Sequence, residues 1–314
     1  MPQSAAPDIA ARRRATAIGG LAVLIWATLA LFTTATGAIP PFQLVAMAFA
    51  IAFLLAFGKW LAKGQGVRAQ LRWPWRVWLV GIGGLFGYHA LYFLALKSAP
   101  PAPANLVNYL WPLCIVLFSA PLAGEKLHWW HLGGVALGLA GTALVLLAGA
   151  TVAYEPAHLV GYLAALGCAV TWGLYSVLSR RFGEVPTDAV GGFCGAAALL
   201  ALLCHLLFEA TVWPASTGQW LAVLALGIGP AGGAFFLWDI GVKRGDIRAL
   251  GALSYAAPVL STVLLVLFGR AQPTLALALA CLLVTAGAVL ASRELWGKGP
   301  DHSKQGPVSR PLSH

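Results

Sequence analysis

Long apolar runs, separated by short polar connections, fill this chain almost from end to end. A helix crossing a bilayer needs about 20 apolar residues. The pattern predicts ten such spans, near residues 16–36, 41–61, 76–97, 103–121, 129–149, 158–179, 188–208, 219–241, 247–268 and 273–293. Only short connections lie between them, so the expected fold class is all-α and integral to a membrane, without a soluble domain. Sliding the chain along itself by 146 residues superposes Trp26 on Trp172, Gly81 on Gly227, Gly83 on Gly229, Gly87 on Gly233 and Lys97 on Lys243. It also brings Tyr109 onto Tyr255, Pro112 onto Pro258 and Gly141 onto Gly287. One ungapped offset over that length predicts a duplication, with a first five-helix repeat over 16–149 and a second over 158–293. Duplicated membrane bundles commonly bind small solutes between their repeats.

Composition agrees with the pattern. Hydrophobic residues make up 60% of the chain and charged residues 10%, against roughly a quarter charged in soluble proteins. The formal net charge of +10 suggests a nucleic-acid partner until the charges are placed. With ten spans, eighteen of the 20 Lys and Arg fall on the side of the N-terminus, and only Lys97 and Arg270 fall on the other. That is the positive-inside asymmetry; it predicts two cytoplasmic termini and removes the nucleic-acid reading. Because five is odd, the second repeat must enter from the opposite face, so the repeats are expected to be inverted. Residues 1–15 and 297–314 are left as cytoplasmic tails, the second predicted to be disordered from its polar, Pro- and Gly-containing composition.

Arg12–Arg14 ahead of an apolar run has the look of a secretory leader. The run is longer than a usual leader core, and its removal would break the five-plus-five symmetry, so the first helix is expected to be retained. The cysteines, Cys114, Cys168, Cys194, Cys204 and Cys281, all fall in spans without metal-ligand or disulfide spacing. No cofactor or metal is expected. Trp73, Trp75, Trp129 and Trp130 at span ends fit an interfacial aromatic belt.

Candidate chemistry lies on the helix faces, where residues spaced i, i+3, i+4 and i+7 line up. The third span collects Leu85, Tyr88, His89 and Tyr92; the fourth collects Asn105, Asn108, Tyr109 and Pro112, with Trp111 beside them. The sixth collects Cys168, Trp172, Tyr175, Ser176 and Ser179, and the ninth Gly251, Ser254, Tyr255, Pro258, Ser261 and Thr262. Polar groups facing lipid lose their hydrogen bonds, so these stripes are expected to turn inward. Pro112 and Pro258 lie mid-span, where each frees a carbonyl four residues earlier and kinks its helix. Trp26, Tyr88, His89, Tyr92, Asn108, Tyr109, Trp111, Trp172, Tyr175, Ser254 and Tyr255 are the expected binding residues, and Pro112 and Pro258 the expected kinks or gates. Two groups read as local structure: His205 with Glu209, and Asp239 with Lys243, each at i,i+4 spacing.

Gly227 to Gly232 matches a dinucleotide-binding pattern in letters, but it falls inside an apolar span and lacks the strand–turn–helix setting that chemistry requires. Arg244-Gly245-Asp246 falls on the side assigned to the cytoplasm. No nucleophile elbow, metalloprotease helix or phosphate loop is present, so an enzyme is not expected.

These residues resemble the drug/metabolite transporter superfamily, and within it the ten-helix EamA-type exporters. The resemblance rests on Trp26, on Ala95-Leu96 through Asn108-Tyr109-Leu110-Trp111-Pro112, on Gly124-Glu125-Lys126-Leu127, on Gly133 through Gly141, and on Trp172, Pro258 and Gly287. Gly269-Arg270 departs from the pattern, standing where the family often has a second Gly-Glu. The aromatic third and fourth spans are most similar to exporters of aromatic amino acids, which implies export of aromatic and other neutral amino acids across a bacterial inner membrane. A flat side chain then packs against the rings, its ammonium meets freed carbonyls or an aromatic face, and its carboxylate meets His89, Asn108 or Ser254. The expected partners are that small-molecule substrate and the lipid bilayer, with a functional monomer suggested by the internal symmetry. An exporter of cationic compounds using Asp239, and a non-transporting membrane sensor or scaffold, are the alternatives. With few carboxylates in the spans, facilitated export is expected.

Overall fold

The computed structural model describes residues 9–111, 113–114, 117–118, 128–148, 156–179, 182, 184–244, 254 and 256–291. The first half contains α1 (Ile9–Ala27), α2 (Leu29–Ala35), α3 (Pro41–Ala62), α4 (Val67–Leu71), α5 (Trp75–Ile82), α6 (Tyr88–Ser98), α7 (Pro101–Asn108) and α8 (Trp129–Ala148). The second contains α9 (Leu159–Ser179), α10 (Ala189–Phe208), α11 (Thr217–Ile228), α12 (Ala234–Arg244), α13 (Ala256–Leu267) and α14 (Leu275–Ala291). Six helical stretches are long and apolar enough to cross a bilayer: Arg13–Ala35, Pro41–Ala62, Trp75–Ser98, Pro156–Ser179, Ala189–Phe208 and Thr217–Gly241. Leu132–Gly141, Ala256–Leu267 and Leu275–Gly287 are shorter apolar helices. Leucines such as Leu54, Leu199 and Leu206 project outward, as they should where the surrounding solvent is hydrocarbon.

Helix ends follow local chemistry. Pro41 opens α3, where its missing N–H costs nothing, and its neighbours Phe42 and Gln43 donate their backbone N–H groups to the Glu209 carboxylate at 2.9 and 3.0 Å. A negative charge at a helix N-terminus is favoured by the helix dipole. The same carboxylate meets His205 Nδ1 at 2.9 Å, so the expected local pair is present and also caps a helix far away in sequence. At the other end of α3, Gly64 adopts φ +62. Its N–H donates to Leu61 O, and Gln65 N–H reaches back to Trp60 O, closing a left-handed cap that favours glycine. Gly269 (φ +67) closes α13 the same way, with Arg270 N–H donating to Leu265 O.

Three irregularities shape the interior. Thr28 interrupts the first span between α1 and α2, its hydroxyl donating to Ile25 O at 2.7 Å. Gly83–Gly87 and Gly229–Gly233 are π-helical turns joining α5 to α6 and α11 to α12. The two turns are offset by the same 146 residues. π turns widen a helix locally and recur at functional sites. Packing repeats the theme: α1 lies along α12 and α9 along α6, while α3 pairs with α10 and α8 with α14. Small residues allow the close approaches. A Cβ on Gly191 would meet Ala56 Cβ at 2.5 Å, and one on Gly287 would meet Gly134 O at 2.5 Å.

Trp75 and Trp129 are mostly exposed at their helix ends, as an interfacial belt requires. Asp239 accepts a hydrogen bond from the Thr187 hydroxyl; its expected pair with Lys243 lies outside the described side chains. Lys59 is paired with Asp188 and stands 5.7 Å from the Phe236 ring centre.

Candidate functional site

The interrupted and widened helices line a cavity between the two halves of the chain. It is lined by Val23 and Trp26 of α1, Leu29 of α2, Tyr88, His89 and Tyr92 of α6, and Asn105 and Asn108 of α7. Tyr109 and Trp111 follow α7, and Trp172 of α9, Phe235 of α12, Ser254 and Ala257 complete the wall. The π turn at Gly83–Gly87 immediately precedes Tyr88 and His89, and the turn at Gly229–Gly233 precedes Phe235.

The aromatic wall is continuous. Trp26 meets Trp172 edge-on at 5.9 Å between ring centres, and Phe235 at 5.7 Å. Trp172 also approaches Tyr88 at 5.1 Å, Phe235 at 5.8 Å and Trp111 at 6.5 Å. These separations lie in the range of favourable ring pairs, each worth about 0.5–1.5 kcal/mol beyond simple burial. Trp26 Nε1 donates to Pro230 O at 3.1 Å, which ties α1 to the π turn of the other half.

A buried polar chain runs behind the rings. Tyr92 OH donates to Asn105 Oδ1 at 2.7 Å, and Asn105 Nδ2 donates to Ser261 Oγ at 2.8 Å, so the two halves share a hydrogen-bonded seam. Asn108 Nδ2 donates to Tyr88 OH at 3.1 Å, and the Tyr88 carbonyl accepts from Cys168 Sγ. His89 is only 1% exposed, ringed by Phe49 at 4.8 Å, Tyr88 at 5.0 Å and Phe235 at 5.6 Å. The Tyr92–Asn105–Ser261 bonds rigidify an apolar interior.

Of the expected binding residues, Trp26, Tyr88, His89, Tyr92, Asn108, Tyr109, Trp111, Trp172 and Ser254 all line this one cavity. Tyr175 stands behind it, packed on Trp172 at 5.1 Å and against Gly84, where a Cβ would meet its ring at 2.1 Å. Tyr255 and Pro112 lie outside the described residues; Pro258 is buried in α13. Phe235 was not among the expected residues, although the 146-residue offset pairs it with His89. Asn105 shares the expected face and proves to be the link to Ser261.

The cavity offers about 40 Å³, against roughly 10–15 Å³ for one enclosed water. No Asp, Glu, Lys or Arg lines the cavity among the described residues, and they contain no cluster of metal-ligating side chains. The site is therefore suited to holding a flat, largely apolar molecule by its rings and a few hydrogen bonds.

The EamA-like transporter family profile matches residues 15–147 and 159–293, once in each half. The aromatic amino acid exporter YddG of Ancylobacter novellus is 58% identical over 282 residues, spanning 90% of this chain and 98% of that protein. The protein of that name in Salmonella typhimurium is 25% identical over 80% of this chain and 87% of its own length. A crystal structure 56% identical to the chain superposes with a TM-score of 0.72, covering 91% of this chain and all of that one. Paired helices, a shared internal cavity and a family match repeated in both halves agree: this chain belongs to the EamA-like transporter family, whose members are membrane transporters rather than enzymes.

Proposed function

We propose that this chain exports aromatic and other neutral amino acids across the bacterial inner membrane, by alternating access through the cavity between its halves. Its ten spans form two inverted five-helix repeats, over 16–149 and 158–293, with cytoplasmic tails at 1–15 and 297–314. The charge asymmetry, the odd number of spans per repeat and the paired π turns support that topology. It works as a monomer, because one chain supplies both repeats. Trp26, Tyr88, His89, Tyr92, Asn108, Tyr109, Trp111, Trp172 and Ser254 hold the substrate, with Tyr175 buttressing Trp172 and Tyr255 completing the wall. Pro112 and Pro258 provide the bends.

The observation that carries this reading is the wall of rings contributed jointly by both halves, with Trp172 touching Trp26, Tyr88, Trp111 and Phe235. An aromatic side chain slotted among them replaces ring pairs with ring pairs, at little cost. The 58% identical exporter of aromatic amino acids supports the same substrate class. Asp239, the residue an exporter of cationic drugs would use here, is bonded to Thr187 and is not in the cavity lining. The test is resistance: bacteria lacking their own exporter and expressing this chain should tolerate p-fluorophenylalanine and release phenylalanine. Sensitivity unchanged despite normal membrane expression would count against the reading.

A further inference from the structure

Two polar atoms in the cavity wall have no partner. His89 Nδ1 lies 2.9 Å from Leu85 O. A carbonyl oxygen only accepts, so Nδ1 carries the proton, and Nε2 of the neutral ring is left as a lone-pair acceptor. That Nε2 is buried and unbonded, and so is Asn108 Oδ1, whose own amide nitrogen is committed to Tyr88 OH. Both side chains are almost wholly buried, at 1% and 2% exposure. A buried acceptor without a donor costs about 1–3 kcal/mol. Two such atoms beside the same tyrosine, in one small cavity, mark the place where a ligand's donors belong.

Several neighbouring donors are engaged. Tyr92 OH is given to Asn105, Asn105 Nδ2 to Ser261, and Trp26 Nε1 to Pro230 O. Both orphaned atoms of this wall are acceptors. Rings of Tyr88, Phe235 and Phe49 lie 4.8 to 5.6 Å from the imidazole, and ring faces attract cations. A primary ammonium has three N–H donors and a positive charge; a carboxylate offers neither. An ammonium at this place would reverse the sequence-based expectation that His89 and Asn108 face a carboxylate.

We infer that His89 Nε2 and Asn108 Oδ1 are the specificity-determining acceptors for the substrate's α-ammonium. The cavity therefore selects aromatic molecules by their amine, and aromatic primary amines without a carboxylate are also carried. This rests on the proposed reading of the cavity as an aromatic amino acid site.

The experiment uses the full chain in proteoliposomes, following counterflow of labelled phenylalanine against 2-phenylethylamine, which keeps only the amine, and 3-phenylpropionate, which keeps only the carboxylate. Phenylethylamine is expected to compete within about tenfold of unlabelled phenylalanine, about 1.4 kcal/mol, and phenylpropionate not to compete. Competition by phenylpropionate, or none by phenylethylamine, overturns the assignment. Asn108→Asp keeps the acceptor and adds charge, so it should raise the apparent affinity for phenylethylamine; a fall overturns the assignment too. If phenylalanine is not exchanged at all, the amino acid reading fails. Quenching of intrinsic tryptophan fluorescence by phenylethylamine but not phenylpropionate then upholds the ammonium site by itself, and its absence removes both.

Discussion

Gly84→Ala tests whether the π turn and the cavity wall are one mechanical unit. The added Cβ would fall 2.1 Å from Cδ2 and 2.5 Å from Cγ of Tyr175. Contact at the root of a ring cannot be relieved by turning the ring's far edge away, so the π turn and α9 must separate or Tyr175 must change rotamer. Overpacking of this kind costs about 1–3 kcal/mol. The opposing gain from replacing a helical glycine by alanine is at most about 1 kcal/mol, so the clash wins. Tyr175 lies under Trp172 at 5.1 Å, and its displacement shifts the central ring of the wall. Gly83→Ala is the matched control, one residue away in the same turn, where an added Cβ meets nothing within 4 Å. In detergent, the Gly84 variant should melt several degrees lower, at roughly 2–4 °C per kcal/mol for a chain of 150–250 residues and somewhat less here, and lose counterflow of phenylalanine. The Gly83 variant should match or slightly exceed the parent in both. If the two variants behaved alike, the coupling of turn to wall would be refuted.

Four further outcomes follow from the same contacts. Trp172→Ala removes ring pairs worth about 0.5–1.5 kcal/mol each, so counterflow should fall at least about tenfold, while Trp172→Phe keeps most of it. Tyr109→Ala and Trp111→Ala should abolish transport with normal membrane expression, read by counterflow and by surface-resolved blotting. Glu209→Gln replaces a charged acceptor of two backbone N–H groups, and should destabilise by about 1–3 kcal/mol, visible as a lower Tm. Asp188→Asn breaks a pair with the partly exposed Lys59, which is worth about 0–1 kcal/mol, and its Tm should hardly move.

Much of this architecture could be read in the sequence because membrane folding leaves few ways to satisfy a backbone. Apolar length marked the six long helices. The 146-residue offset marked the duplication, and the aromatic and polar stripes marked the inward faces of α6, α7 and α9. Less legible was whatever depends on contacts between distant segments. Phe235 looks like any lipid-facing phenylalanine until α12 is laid along α1. The glycine mates at Gly83 and Gly229 were visible, but a π turn leaves no periodicity of its own to read. Thr28 breaks α1 from α2 without a proline or glycine, through a hydroxyl that bonds the preceding turn. Glu209 seemed to belong to His205 alone, and its role at Phe42 and Gln43 needed α3 and α10 side by side. The polarity of His89 depended on which ring nitrogen Leu85 O occupies, which no spacing rule gives.

The central claim, an aromatic amino acid carrier built around the shared ring wall, is tested most directly by counterflow of labelled phenylalanine and tryptophan in proteoliposomes with no ion gradient imposed. Exchange that is robust in the parent chain and lost in Trp111→Ala is the predicted result. Folded, reconstituted protein that exchanges neither amino acid, or a Trp111→Ala variant that exchanges both as fast as the parent, would contradict it.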